Sequence, residues 1–172
     1  MSLDWAEVYR STFLDLVRFL HRKVWDADRA QELAQEAFVR ALSQTGRRPD
    51  NPRAWLFRVA ANLAKDEARL VIRRKKHLAL LKVEAETEPA VEPELLQTDE
   101  RAAREEAVRQ ALAQLGERDR EALLLWDAGL SYREIAEHTG LALGAIGTTL
   151  ARARARLVEA YSALEAKHAA RG

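Results

Sequence analysis

At 172 residues, with 48% hydrophobic and 32% charged side chains, the chain has the size of one domain or two small ones. It contains no cysteine, which excludes a disulfide framework and thiolate metal sites. No apolar run approaches the roughly 20 residues of a membrane span, and Asp4, Glu7 and Arg10 break any signal-peptide core, so a cytoplasmic protein without membrane insertion is expected.

The net charge of +1 does not by itself point to nucleic acid, but its distribution is informative. Residues 4–24 carry Trp5, Val8, Tyr9, Phe13, Leu16, Val17 and Leu20 at helical spacing, which predicts one or two helices. Asp26 or Asp28 is placed to cap the next helix. Its apolar side is Ala30, Leu33, Ala34, Ala37, Phe38 and Ala41; Glu32, Gln35, Glu36 and Val39 lie opposite. SQTGRRPDN reads as a loop. Asn51 then caps a further helix with Pro52 in its first position. Leu56, Val59, Ala60, Leu63 and Leu70 form its expected buried stripe. Arg58, Asn62, Lys65, Arg69, Arg73 and Lys76 form a second stripe at steps of three and four, interrupted laterally by Asp66 and Glu67. Cations in such a row suit a phosphate backbone, because each one releases condensed counterions. Trp55 and Phe57 are candidates for stacking on bases, with a core role favoured for Trp55.

Residues 83–100, VEAETEPAVEPELLQTDE, hold seven carboxylates, two prolines and no Lys or Arg. An acidic, proline-punctuated stretch between periodic segments reads as a linker. Strand signals are weak throughout. The expected fold is all-α: two small helical domains, 1–80 and 103–172, joined by an acidic flexible linker over 81–102.

In the second domain, LSYREIAEHTGLALGAIGTTLARARARL reads as two helices around a tight turn. Ser131 and Glu134 form a capping box, and Gly140 supplies the backbone freedom of the turn. Leu143, Ile146, Leu150 and Leu157 repeat at helical spacing; Ala145, Thr148, Thr149, Arg152 and Arg156 occupy the other side. The pattern suits a helix-turn-helix, whose second helix enters the DNA major groove. Enzymatic readings have little support. His21, His77, His138 and His168 are scattered, with His138 expected at the surface, and GLALGAIG lacks the Lys-Ser/Thr ending of a phosphate loop. No catalytic residue, metal site or cofactor is expected.

In their order, AQELAQEAFVRAL, NPRAWLFRVAANLAKDEAR and the helix-turn-helix segment resemble a bacterial RNA polymerase sigma factor of the extracytoplasmic-function group. The resemblance spans about residues 5–161. It implies a first domain that binds the polymerase clamp and the minus-10 promoter element. It implies a second that binds the flap and the minus-35 element. Glu32, Gln35, Glu36 and Val39 match the clamp-docking surface. The loop Ser43 to Asn51 matches the one that captures a flipped-out base. Arg58, Asn62, Lys65 and Arg69 match the helix that tracks promoter DNA, with Arg73 continuing that stripe. The linker is similar to segments that thread the polymerase channels. Core RNA polymerase and promoter DNA are the implied partners, and an anti-sigma factor is common in the group.

The second motif helix departs from the family pattern. Members usually carry a polar cap at Ala142, a Lys or Arg at Gly147 and an Arg at Thr149. Thr148, Thr149, Arg152 and Arg154 remain as the expected base or phosphate contacts, with Arg154 and Arg156 towards the flanks. Close packing, close approach of DNA backbone, or an altered sequence preference would each account for the glycines. Two rival functions are a ligand-responsive helix-turn-helix repressor, binding duplex DNA as a dimer, and a helical adaptor with no DNA affinity. The acidic linker and the lack of a dimer seam count against the first; the basic stripe counts against the second.

Overall fold

The computed structural model describes residues 3–84 and 100–172, and every regular element among them is helical. Helix α1 spans Trp5–Val24 and starts where the Asp4 carboxylate accepts a hydrogen bond from the Ala6 amide at 2.9 Å. It stops at Trp25, which is left-handed (φ 56°) and donates its amide to the His21 carbonyl. Helix α2, Ala27–Ser43, is capped by Asp26, which accepts from the Arg29 amide at 3.0 Å. Its six expected apolar positions, Ala30 to Ala41, are all buried. Four of them are alanine, so α1 can approach the α2 backbone closely.

Helix α3 runs from Pro52 to Glu84, with the Asn51 side-chain oxygen accepting from the Ala54 amide at 3.0 Å. Its first half supplies Leu56, Phe57, Ala60, Ala61, Leu63 and Ala64 to the core shared with α1 and α2. Past Ala64 the helix outruns its neighbours. Leu70, expected in the buried stripe, is 41% exposed for that reason, and Leu78, Leu80 and Leu81 are exposed too.

The remaining helices form a second bundle: α4 (Glu100–Ala113), α5 (Glu117–Asp127), α6 (Tyr132–Thr139) and α7 (Ile146–Arg171). The Ser131–Glu134 capping box is present at α6, and Gly140 ends it at φ 76°. A single 3₁₀ turn, Leu143–Ala145, precedes α7. Leu143, placed in the buried stripe by its sequence spacing, is 51% exposed because it belongs to this turn and not to α7. Helix α3 continues to Glu84 and α4 begins at Glu100, so both helices run into the 81–102 stretch expected as a linker. Residues 85–99, with both of its prolines, lie outside the described residues.

Candidate nucleic-acid and partner interface

The two faces of α3 separate cleanly. Arg58, Asn62, Lys65, Arg69 and Arg73 are all exposed, and the buried positions between them turn the other way. Glu67 does not dilute the stripe. It is turned onto α2, where Arg29 grips it through Nε–Oε1 at 2.9 Å and Nη2–Oε2 at 2.7 Å. That hydrogen-bonded guanidinium holds the Glu67 carboxyl below its ordinary value, and the Glu67 and Glu32 carboxylates in turn raise the pKa of Arg29. Asp66 reaches only Arg69, at 3.8 Å between two well-exposed side chains, an ion pair of little worth. Positive charge along α3 is therefore largely uncompensated.

Of the two aromatic candidates, Phe57 is not free to stack on bases. Phe57 is fully buried, edge-on to Phe19 at 5.1 Å, and Trp55 is half-buried against the core. For Phe57 this corrects the sequence expectation: α1 and α2 flank α3 on two sides, so its buried arc is wide enough to take adjacent positions.

On α2, Glu32, Gln35 and Val39 are exposed and Glu36 is partly so, with Glu36 accepting from Arg40 at 2.9 Å. Sequence reasoning missed Leu42, which is 66% exposed beside the 59% exposed Val39. The three-residue step that puts two apolar side chains on one face was the available signal.

In the second bundle the structure brings Thr148 to the surface and withdraws Thr149, which is only 4% exposed. Thr149 therefore does not face outward as expected; it sits with Ile146, Leu150 and Ala153 on the buried side of α7. Arg152 is exposed but engaged: Asp119 of α5 accepts from its Nε at 3.1 Å and from Nη2 at 2.8 Å. Arg156 lies 3.6 Å from the same carboxylate, and Arg154 stacks over Trp126 at 3.9 Å. Asp119, held below the ordinary carboxylate value by the Arg152 hydrogen bonds, was also missed in the sequence. A guanidinium has five N–H donors, so Arg152 can keep Asp119 and still offer donors outward.

The two glycines have no internal reason to be glycine. A Cβ at Gly144 would meet nothing within 4 Å, and one at Gly147 would touch the Tyr132 ring at an ordinary 3.8 Å. Neither has a positive φ. Close packing is thus removed as their explanation. Gly147→Ala should stabilise the protein by up to about 1 kcal/mol, the interior glycine penalty. Gly147→Lys should gain less, because a cation in the first turn of α7 opposes the helix dipole by about 0.3–1 kcal/mol. Thermal melting of both variants checks this order, and an alanine variant less stable than the parent would contradict it.

A bundle with an uncompensated basic helix, linked to a helix-turn-helix bundle, defines a two-part DNA-binding protein. Comparison with known proteins makes this specific. Sigma-70 region 2 matches residues 8–74, and sigma-70 region 4 matches residues 105–157. The RNA polymerase sigma factor YlaC of Bacillus subtilis is 31% identical over 155 residues, covering 88% of each chain. The extracytoplasmic-function sigma factor EcfG of Rhodopseudomonas palustris is 35% identical over 138 residues, 77% of this chain and 71% of its own. Among solved structures, the sigma factor RpoE of Bartonella quintana, bound to the anti-sigma factor NepR, has the same fold. It aligns with a TM-score of 0.61 at 24% identity over 92% of this chain and 97% of its own.

The chain belongs to the sigma-70 family of RNA polymerase sigma factors, in the extracytoplasmic-function group. It is a transcription initiation factor: it binds core RNA polymerase and directs it to specific promoters, contacting the minus-10 and minus-35 elements and promoting strand opening. Nothing in these matches favours the dimeric repressor. No helix among the described residues is long and apolar enough to cross a membrane.

Proposed function

We propose that residues 1–80 and 103–172 are the minus-10 and minus-35 binding domains, with the acidic stretch as their tether. Arg58, Lys65, Arg69 and Arg73 neutralise promoter phosphates beside the melted region, and Asn62 influences which base is preferred. The observation that carries this assignment is the division of α3 into a packed face and an almost acid-free cationic face. Thr148, Arg152 and Arg154 meet the upstream element, Arg152 chiefly through phosphate because Asp119 holds part of its fork. Thr149 drops out of this set because it is buried.

Glu32, Gln35, Glu36, Val39 and Leu42 form the surface offered to the polymerase clamp. An apolar pair within a polar rim has the anatomy of a protein interface. The chain acts in the cytoplasm, where its polymerase and promoters are, and without covalent chemistry of its own. An anti-sigma factor is a natural partner, as in the solved complex of the sigma factor RpoE with NepR.

The deciding experiment is run-off transcription by core polymerase with and without the chain. Within it, Glu36→Lys should weaken core binding at least severalfold while leaving helicity unchanged, since it reverses a charge on the docking face and gives up only an exposed pair with Arg40. Unaltered affinity would remove this surface from the assignment.

A further inference from the structure

The arginines of α7 leave the helix on opposite flanks. Arg152 and Arg156 are one turn apart and share a side. Arg154 is two residues from each, about 200° around the helix at ~100° per residue. The buried Ile146, Thr149, Leu150 and Ala153 fill the arc between the flanks that faces the bundle. The exposed Thr148, Ala151 and Ala155 fill the arc that faces out. The outward face thus carries short side chains between two cationic rims.

Each rim is held by a different residue of α5. On one side, Asp119 accepts from Arg152 Nε at 3.1 Å and from Nη2 at 2.8 Å, and Arg156 Nη1 lies 3.6 Å from the same carboxylate. Asp119 is 8% exposed, the most deeply buried charged residue among those described. On the other side, the guanidinium carbon of Arg154 lies 3.9 Å from the centre of the Trp126 ring. The other cation–ring contacts among the described residues are looser, at 5.2 to 5.4 Å. Trp126 follows the buried Leu123, Leu124 and Leu125 but is itself 40% exposed, so much of its ring is spent outside the core. A planar cation this close to an indole is attracted by the ring face and restricted in its rotamers.

Both supports leave the arginines able to donate. Asp119 takes two of the five N–H groups of Arg152, and a ring face takes none from Arg154. We propose that Asp119 and Trp126 are positioning residues for promoter recognition. Helix α5 holds the arginines of α7 apart, Arg152 and Arg156 for phosphates along one edge of the major groove and Arg154 for those along the other, with Thr148 facing the bases between. The proposal rests on the assignment of α7 to the upstream element. Phosphate contacts set the register of a helix in the groove without reading sequence. Arginines ordered before binding lose less rotamer freedom on contact. Register matters more here than usual, because the outward face of α7 has few long side chains to orient it.

The test is a scan of single neutral methylphosphonates through the minus-35 element, on both strands of a promoter that the holoenzyme transcribes, with holoenzyme binding as the readout. The parent should be weakened at two clusters, one on each strand across the groove. Arg154→Ala should abolish the sensitivity of one cluster only. Trp126→Leu keeps apolar volume without a ring face. It should spread that same cluster over neighbouring phosphates and lower affinity about two- to tenfold, the cost of ordering one long side chain on contact. Trp126→Phe should retain most of both. Asp119→Ala should spread the other cluster, and because it removes a negative charge its affinity for a fragment lacking the minus-35 sequence should not fall.

Asp119 also lies in the first turn of α5, where a carboxylate favours the helix dipole. A solely structural role would lower the melting temperature and weaken both clusters alike, and that result would overturn the proposal. So would the parent pattern in Trp126→Leu or in Asp119→Ala, while loss of one cluster in Arg154→Ala would leave the DNA assignment standing. An Arg154→Ala chain with the parent pattern would remove Arg154 from the DNA surface, and its positioning by Trp126 with it.

Discussion

With Arg58, Lys65, Arg69 and Arg73 all replaced by alanine, the protein should fold and bind core polymerase but lose most of its promoter affinity at low salt. All four side chains are exposed, and the ion pair of Arg69 with Asp66 is itself solvent-exposed, so their removal takes nothing from the core. Each phosphate contact contributes a slope of about 0.9 in log affinity against log salt, so four lost contacts should flatten the slope by about 3.6. Between 50 and 200 mM salt the parent holoenzyme should therefore lose about two decades more affinity than the variant. Titrations at several salt concentrations measure this directly. An unchanged slope would make the stripe a solvated face.

Phe57→Ala should have the largest effect on stability. Phe57 is fully buried between the first helices, edge-on to Phe19, with the Arg53 guanidinium 5.4 Å from its ring centre. Deleting a buried phenyl group costs about 3–5 kcal/mol, a large part of the roughly 5–15 kcal/mol that holds a domain folded. Denaturant unfolding should show a lower midpoint in the first bundle, and promoter opening should fail with it. A cost under about 1 kcal/mol would mean that the site collapses around the gap, against the close packing seen here. Phe57 is also the residue whose stacking role the sequence suggested. Removal of a base-stacking side chain would have spared stability and changed only DNA binding, so one variant separates the two roles.

Much of the fold was legible in local chemistry. The caps at Asp26, Asn51 and Ser131 lie where their side chains suggest, and the α2 periodicity picks out its buried face completely. The errors have a common cause in helix phase and neighbours. Counting the second motif helix from Leu143 leaves Thr149 outward. Counting from Ile146, where α7 begins, the steps of three and four put Thr149, Leu150 and Ala153 inside. Phe57 is buried because two helices flank α3, which periodicity along one helix does not reveal. Glu121, His138 and Lys23 meet from three helices and two bundles, and no spacing within one segment encodes that meeting. For Arg58, Asn62 and Lys65 exposure follows from the buried residues between them, whereas Arg69 and Arg73 are exposed because α3 has no buried position past Ala64.

The length of α3 has a thermodynamic consequence. Its first half is anchored in the core, while its second half, from about Leu70 onward, is exposed and carries Arg73, Arg74, Lys75 and Lys76 in succession. Isolated helices shorter than about 12–15 residues are marginal in water, so this half keeps its turns by propagation from the anchored part. Adjacent cations work against those turns, and phosphates laid along them would remove the repulsion. Binding at Arg73 should then tighten the outer turns as well as neutralise charge, and the two terms carry opposite signs: favourable entropy from released counterions, unfavourable entropy from stiffened backbone. Amide exchange would be slow before Ala64 and fast beyond Leu70 in the free protein, and the difference would narrow on DNA.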